Sequence, residues 1–335
     1  MRSSLKYLLA LPLLGLLLQM QGCGTCGFDC SDGNDNEAAA SLTLSFSDAP
    51  LEDLKEVVIE VSAIEFRRDN LDPIVVETFD LATSSGRESF KIDLLQFPGI
   101  QSQEILTGLT VPADFYDEIF IEILSGDVNH SYVLDDEDMS RVINVDDSGL
   151  LLSGRQVDAE NQDITVEFGL ARALKFNAND DTYTLDEEGV RVVQDSLDPS
   201  LGGIVDEDLF TAAVECDDME DGDNAWNRVY LYEGTGLDLD SLGDVFTEGA
   251  AGSAGKIAPY AASTLTLGPN GWQFSFGYLP SGGYTLAFSC NAQEDDARTV
   301  QDITIPLPAD QVVQLSLSTQ ENVSCDLELQ ESPRC

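Results

Sequence analysis

Apolar and polar side chains alternate along one segment after another from Ser41 onward. In 41–47, 118–123 and 163–168, hydrophobic residues occupy every second position. A period of two is typical of a half-buried strand in an antiparallel sheet. No stretch longer than about ten residues carries the apolar stripe of an amphipathic helix. Turn residues separate the segments. The sequence therefore predicts an all-β fold built from many short strands, as in a sandwich or barrel.

The chain divides near 195–203, where Pro199 and two glycines stand between two strand-rich regions. Its 335 residues are more than one hydrophobic core usually holds. We therefore expect two tandem antiparallel β-sandwich domains, at 41–198 and 199–335. One short helical turn is expected at 50–55, and the second domain is expected to open with a strand at 211–216.

Residues 1–22 have the composition of an export signal. Arg2 and Lys6 precede a run of leucines that is too short for a membrane-spanning helix. The segment that follows, 23–40, is rich in Gly, Asp, Asn and Ala, which is typical of a flexible linker.

The end of the leucine run resembles the lipobox of bacterial lipoproteins, because Gly22 precedes Cys23. Met20 and Gln21 depart from the Leu and small residue that this motif prefers. The resemblance implies a lipidated Cys23 at the mature N-terminus and an anchor in the bacterial cell envelope, at the outer membrane. The alternative is an ordinary signal peptide, with Cys23 as a disulfide cysteine.

The charge of the chain excludes two classes of partner. The formal net charge is −46, and it becomes −48 once the two basic residues of 1–22 are removed. Such a charge repels nucleic acid and anionic lipid headgroups, so contact with a membrane is expected only through the lipid anchor. The acidity is consistent with either a hydrated acidic surface in a salty environment or a surface that binds cations.

The cysteines predict disulfides, because an exported protein meets an oxidising environment. Six remain when Cys23 is set aside, and they fall into three local pairs: Cys26 with Cys30, Cys216 with Cys290, and Cys325 with Cys335. The spacing of the first pair also occurs in metal sites. No second cysteine or histidine pair lies near it, so a small disulfide loop is the better interpretation.

Catalytic motifs are scarce. The chain has one histidine, His130, and it has no Gly-x-Ser-x-Gly, Walker or Gly-x-Gly-x-x-Gly sequence. We expect His130 to be a solvated turn residue and the protein not to be an enzyme. Because carboxylates are abundant, a secreted hydrolase using paired acids remains the alternative from another class.

No cofactor is predicted, and calcium is the one alternative. Asp217, Asp221 and Asp223 form the densest acidic cluster, and hard oxygen ligands suit this ion. As an EF-hand loop the segment fails, since Met219 and Arg228 stand at ligand positions. A solvated acidic loop and a calcium site of another type are the two interpretations.

The second domain holds both tryptophans and several tyrosines, which suggest a surface for sugars. Tyr230 and Tyr232 lie on the strand face opposite Val229 and Leu231, with Trp226 nearby. Together they could form a platform for a glycan. The competing interpretation is that they form a second layer of core or pack against the first domain.

The first half resembles the domain of unknown function 4382 family, whose first strand ends in Asp-Ala-Pro as 41–50 does. The likeness covers about 41–195, through the following pieces in order: 57–65, 92–95, 111–124, 166–170 and 190–193. Gly169 departs from an acidic position of the family. The resemblance implies a lipoprotein or surface protein of bacteria or archaea, without an established activity.

The second half resembles transthyretin-like, or carboxypeptidase-regulatory-like, β-sandwiches through 229–232 and 279–286. Some domains of this fold bind carbohydrate. We therefore expect Ig-like or transthyretin-like sandwiches in a non-enzymatic, lipid-anchored envelope protein that acts in binding, adhesion or scaffolding. Its partner would be a glycan or an envelope protein, and carbohydrate binding through the second domain is the alternative function.

Overall fold

Strands make up most of the computed structural model, which confirms the all-β prediction. The structure describes residues 38–49, 54–81, 84–135, 137–195, 197–216, 227–246, 252–292, 295, 300–301, 303–329 and 331–335. The strands are β1 Ala39–Ala49, β2 Leu54–Arg67, β3 Ile74–Val76, β4 Phe79–Leu81, β5 Ser84–Arg87, β6 Phe90–Asp93, β7 Gln103–Pro112, β8 Glu118–Leu124, β9 Tyr132–Asp135, β10 Ser140–Asn144, β11 Gly149–Ser153, β12 Asn161–Gly169, β13 Leu174–Asn177, β14 Thr182–Leu185, β15 Val190–Gln194, β16 Ser200–Val205, β17 Arg228–Glu233, β18 Ala261–Thr264, β19 Thr266–Gly268, β20 Gly271–Phe276, β21 Gly282–Ser289, β22 Val312–Leu317 and β23 Asn322–Ser324.

Helices in the described part are single turns. Two are α-helical, α1 Leu170–Ala173 and α2 Asp208–Thr211, and four are 3-10 turns at Leu94–Gln96, Asp146–Ser148, Glu187–Gly189 and Leu239–Ser241. None of the described helices is long and apolar enough to cross a membrane.

The first sandwich has two main sheets, and β4 and β5 form a separate two-stranded sheet beside them. Sheet A has the order β15-β12-β1-β7, and sheet B has the order β11-β8-β2-β9-β10-β14-β13, with β3 and β6 also paired to β2. Alternate residues of β1, such as Leu44 and Phe46, are fully buried together with Ile59 of β2 and Ile121 of β8. The alternation predicted from the sequence therefore defines this core.

The second sandwich also has two sheets. Sheet C has the order β19-β20-β16-β23, and sheet D has the order β18-β17-β21-β22. Leu231 of β17 and Phe288 of β21 are buried with Leu201 of β16 and Phe276 of β20. A β-sandwich in the second half agrees with the fold expected there.

Three strand pairs are parallel, where the sequence predicted antiparallel sheets. β1 pairs with β12 in parallel over nine residues, from Ser41 opposite Asn161 to Ala49 opposite Gly169. β10 with β14, and β16 with β23, are the other two. Each parallel pair joins strands that are distant in sequence, because only a long connection can bring the chain back in the same direction.

Two local predictions are wrong. Leu54 and Lys55, expected at the end of a helical turn, begin strand β2, while 50–53 lie outside the described residues. The segment 211–216 is not a strand, because Thr211 ends α2 and the residues after it form turns. Asp206 explains the helix, since its Oδ1 accepts a hydrogen bond of 2.9 Å from the Asp208 amide.

The loop 97–101 of the first sandwich packs against strand β20 of the second. Backbone hydrogen bonds of 3.0 Å join Asp48 to Phe97 and Gly99 to Asp48, which holds this loop on the end of β1. Gly99 has a φ of +67°, and a Cβ there would lie 2.7 Å from the Ser275 hydroxyl. Glycine is therefore needed where this loop meets strand β20.

Candidate binding site

An open groove of about 870 Å³ lies between the two sandwiches. We call it the inter-sandwich groove. Its lining comes from both: Leu54, Lys55, Leu95, Gln96, Pro98, Ile100 and Gln101 of the first sandwich, and Gly203, Ile204, Ser263, Thr264, Thr266, Asn270, Gln273, Phe274, Ser275 and Ser324 of the second.

The strand register of sheet C explains one wall of the groove. Gln273 stands opposite Ile204 on one side and Thr266 on the other, so these three side chains form a row across three strands. Ser275 stands opposite Gly202, which in turn pairs with Ser324, and this gives a second row. Because Phe274 and Phe276 occupy the alternate positions and point into the core, the wall consists mostly of polar side chains, with Ile204 as the apolar member of the first row.

The groove differs in charge from the rest of the protein. Acidic residues make up 62 of the 335 residues, yet none of the 17 described lining residues is acidic. The one charged lining residue, Lys55, forms an ion pair of 2.7 Å with Asp138. Hydroxyl and amide groups therefore supply most of the polar contacts that a ligand could make here.

A smaller cleft of about 340 Å³ adjoins the groove and shares Ile204 and Asn270 with it. We call it the Trp272 cleft. Trp272 is half-buried and contacts Phe210 of α2 edge to face, with 6.0 Å between ring centroids. The rest of the lining is Val205, Asp206, Glu207, Leu267, Gly271, Asp326, Leu327 and Glu328.

Tyr230 and Tyr232 are not part of a surface platform, so that prediction is wrong for these two residues. Both rings are 0% exposed. Tyr232 donates a hydrogen bond of 2.6 Å to the carbonyl of Gly243, and Tyr230 donates one of 2.8 Å to Asp295. They form a second layer of core over sheet D, which is the competing interpretation given above.

Asp295 is the centre of a buried polar cluster beneath this second layer. It accepts a hydrogen bond of 3.0 Å from the Val245 amide and lies 3.4 Å from the Arg228 guanidinium. Burial raises the pKa of Asp295 to about 7, although Arg228 and the Tyr230 hydroxyl oppose this shift. Burial, followed by the charge of Asp295, also raises the pKa of Tyr230.

A second buried carboxylate, Glu167, lies where the two sandwiches meet. Arg191 donates hydrogen bonds both to Glu167 and to the carbonyl of Tyr278, which belongs to the second sandwich. Burial raises the pKa of Glu167 to about 7, although Arg191 lowers it. This cluster contributes to the junction of the sandwiches and not to an open cavity.

His130 lies in a turn, as expected, and pairs with a carboxylate. Its Nδ1 is 2.8 Å from Glu60, and its side chain is 43% exposed. Ser89 donates a hydrogen bond of 2.6 Å to the other oxygen of Glu60. The hydroxyl is thus bonded to the carboxylate and not to the imidazole, which is not the arrangement of a serine nucleophile with its base.

Two predicted disulfides are present. Cys216 is bonded to Cys290, with 5.9 Å between their Cα atoms, and Cys325 is bonded to Cys335. The other predicted site residues lie outside the described residues, namely Cys23, Cys26, Cys30, Asp217, Asp221, Asp223 and Trp226. Within the described part, no cluster of three or more Asp, Glu, His or Cys residues could hold a metal ion.

The sequence interpretation missed the inter-sandwich groove. The alternation of polar and apolar residues did indicate that Thr264 and Thr266 share a polar face. It also indicated that Phe274 and Phe276 share an apolar face directed to the core. Such a polar face is normally assigned to solvent. Only the position of loop 97–101 above Ser275 makes it the wall of a groove, and no local pattern records that distant contact.

Residues 39–186 match the family model described as "Domain of unknown function (DUF4382)". This match confirms the resemblance predicted for the first half of the chain. The second sandwich lies beyond the matched residues. No curated protein matches the chain in sequence.

Among solved structures, the chain is similar to the Bacillus anthracis TIE protein, at 8% identity and a TM-score of 0.17, over 87% of this chain and 34% of that one. It spans about a third of the length of that protein. A candidate cell adhesion protein from Bacteroides fragilis NCTC 9343 matches at 8% identity and a TM-score of 0.21, over 88% and 94% of the two chains. BcpA, the major pilin subunit of Bacillus cereus, matches at 10% identity and a TM-score of 0.18, over 86% and 69%.

Proposed function

We propose that this protein is a non-enzymatic binding module of the bacterial cell envelope, anchored at the outer membrane through a lipid on Cys23. The observation that carries the binding proposal is the inter-sandwich groove. It is large enough for part of a polymer, and it offers hydroxyl and amide groups from Thr266, Gln273 and Ser275. The anchor is supported by the export signal and the lipobox-like end of 1–22.

Mass spectrometry of the mature N-terminus tests the anchor. The chain purified from a bacterial host is expected to begin at Cys23 and to carry acyl groups, because several acyl chains give stable anchoring where one is marginal. Cys23→Ser is expected to release the protein from the membrane fraction. An unmodified Cys23, or cleavage elsewhere, contradicts the anchor.

Binding to purified cell envelopes tests the groove. The full chain carrying Cys23→Ser is expected to bind envelopes saturably, and Thr266→Arg is expected to abolish this binding by filling the groove. Thr107→Arg is the matched control, because Thr107 is also an exposed threonine of an edge strand but lies outside the groove lining. Equal loss in both variants contradicts a role for the groove.

A further inference from the structure

We infer that β22, the open edge strand of sheet D, pairs with β22 of a second copy of this chain in an antiparallel, two-fold dimer centred on Gln314. None of its residues belongs to the described lining of the inter-sandwich groove. The inference is therefore independent of the binding function proposed above, and its tests do not require a ligand.

β22 is the last strand of sheet D, and among the described residues it pairs with β21 alone. Just before β22, the Phe288 amide donates a hydrogen bond of 3.0 Å to the Gln311 carbonyl, so the odd-numbered residues of β22 are those bonded to β21. Bonded and non-bonded pairs alternate along an antiparallel ladder. The amides and carbonyls of Val312, Gln314 and Ser316 therefore point away from the sheet, and no other backbone group of the described part bonds to them.

The side chains of β22 leave apolar surface at the same edge. Val313 and Leu315 pack against the core of the second sandwich but remain partly exposed. Leu231 and Leu286, in the inner strands of the same sheet, are at most 1% exposed. A further strand beside β22 would cover this apolar surface with its own inward-facing residues.

β22 lacks the features that keep edge strands from pairing. Natural edges are usually protected by charges, prolines or bulges, or they are very short. β22 has six residues, none of them charged or proline, and its register with β21 runs without a bulge. By contrast β7, an edge strand of sheet A, has two register shifts against β1. The edge of β22 is thus available to another strand.

The pairing of β22 with itself satisfies its outward backbone groups. In the two-fold register that places Gln314 opposite its own copy, Val312 lies opposite Ser316 of the second copy. All outward amides and carbonyls of the two strands then find partners. A shift of two residues would instead place Val312 opposite Ser318, whose amide already donates a hydrogen bond of 2.9 Å to Glu321.

The same register also matches the side chains. Val313 lies opposite Leu315 of the second copy, so the inward row stays apolar and continues the core. Residues 311–320 are all uncharged in a chain with 62 acidic residues, so a second copy brings no like charge into this pairing. A shift of two residues in the other direction would bring Asp310 of each copy into the paired segment. Charge therefore favours the register centred on Gln314.

Sedimentation velocity of the full chain carrying Cys23→Ser tests the dimer. Over a concentration series we expect a monomer–dimer equilibrium. It should shift toward the dimer from low to seawater-like salt, because screening reduces the repulsion between two chains of net charge −46. Backbone hydrogen bonds and apolar contacts between the strands are not weakened by this screening.

A proline in β22 tests whether this edge forms the dimer. Ser316→Pro removes the outward amide of an exposed residue, and proline is tolerated in edge strands where the amide faces solvent. It is expected to weaken dimerisation at least tenfold, which corresponds to about 1.4 kcal/mol. Ser316→Ala keeps the amide and is the matched control, expected to remain within twofold of the parent.

Cysteine variants test the register, and they keep the test valid if Ser316→Pro fails to fold. Under mild oxidation Gln314→Cys is expected to form a disulfide-linked dimer, because the two Cα atoms would lie about 5.5 Å apart. Ser316→Cys is the matched control on the same exposed face. Its two copies would be four residues apart along the strands, or about 13 Å, which is too far for a disulfide. The parent measures any linkage through the native cysteines.

Four results would overturn the inference. The chain could remain monomeric at every concentration and salt, Ser316→Pro could dimerise as the parent does, or Gln314→Cys could link no better than Ser316→Cys. The fourth is a monomeric chain that binds a synthetic peptide of residues 311–318, because this would assign the edge to a strand of another protein and not to a second copy.

Discussion

The two outer faces of the second sandwich have different coverings. On sheet D, Tyr230 and Tyr232 point away from the sandwich core and are fully buried under Gly243 and Asp295. On sheet C, Gln273 and Ser275 also point away from the core, yet they line an open groove. The difference follows from what lies above each face. Apolar loop residues such as Leu242 and Val245 pack on sheet D, whereas loop 97–101 only partly covers sheet C.

The largest effect is expected from removing a ring of the covered face. Tyr232→Ala should lower the free energy of unfolding by about 3–5 kcal/mol, because it leaves a cavity where a fully buried aromatic side chain was. Gln273→Ala on the groove face should stay within about 0.5 kcal/mol. Urea denaturation of both variants measures the contrast, and equal losses would show that the two faces are equally packed.

The second-largest loss of stability is expected from removing the Cys216–Cys290 disulfide. Cys290 follows strand β21 and precedes Asp295, which accepts the hydrogen bond of Tyr230. The Cys216–Cys290 bridge closes a separation of 74 residues, whereas Cys325–Cys335 closes one of 10. Replacing both cysteines of the longer bridge by serine should therefore lower the free energy of unfolding by about 4 kcal/mol, and the same change in the shorter bridge should lower it by about 3 kcal/mol. Thermal unfolding of both double variants tests this order, and the reverse order would contradict it.

The covered face should also make stability depend on pH. Asp295 has a pKa of about 7 in the folded protein and near 4 when unfolded, so the folded state holds more protons between these values. The contribution of Asp295 is therefore complete below about pH 4 and is lost as the pH rises through 7. Asp295→Asn should remove up to about 1.4 kcal/mol per pH unit from the slope of the unfolding free energy. Denaturation curves from pH 4 to 8 measure it, and parallel curves for parent and variant would rule out this role.

Salt should have the smallest effect, and it acts on the acidic surface outside the groove. Screening at seawater-like salt reduces repulsion among the excess negative charges, so the melting temperature should rise by about 2 °C or more over its low-salt value. A further rise with millimolar calcium at constant ionic strength would support a calcium site at Asp217, Asp221 and Asp223. A melting temperature that changes with neither salt nor calcium would contradict any role of cations in the stability of this protein.

The sequence predicts which residues share a face, but not what covers that face. Alternation placed Leu231 in the core and Tyr232 opposite it, and both assignments agree with the structure. The cover over Tyr232 comes from segments that contact it only through the fold, such as Gly243, so period-two patterns could not reveal it. The Cys216–Cys290 pair was predictable from the even number of cysteines and their grouping in an exported chain, and this grouping holds although 211–216 is not a strand.

The position of β1 also has a mechanical consequence. This strand lies in the middle of sheet A, bonded to β12 on one side and to β7 on the other. A force that pulls Ala39 along the strand direction would load the hydrogen bonds on both sides in shear, so that many must break together. A strand peeled from a sheet edge would instead lose its bonds one after another. An envelope protein held at one end and bound at the other would gain resistance to tension from this placement.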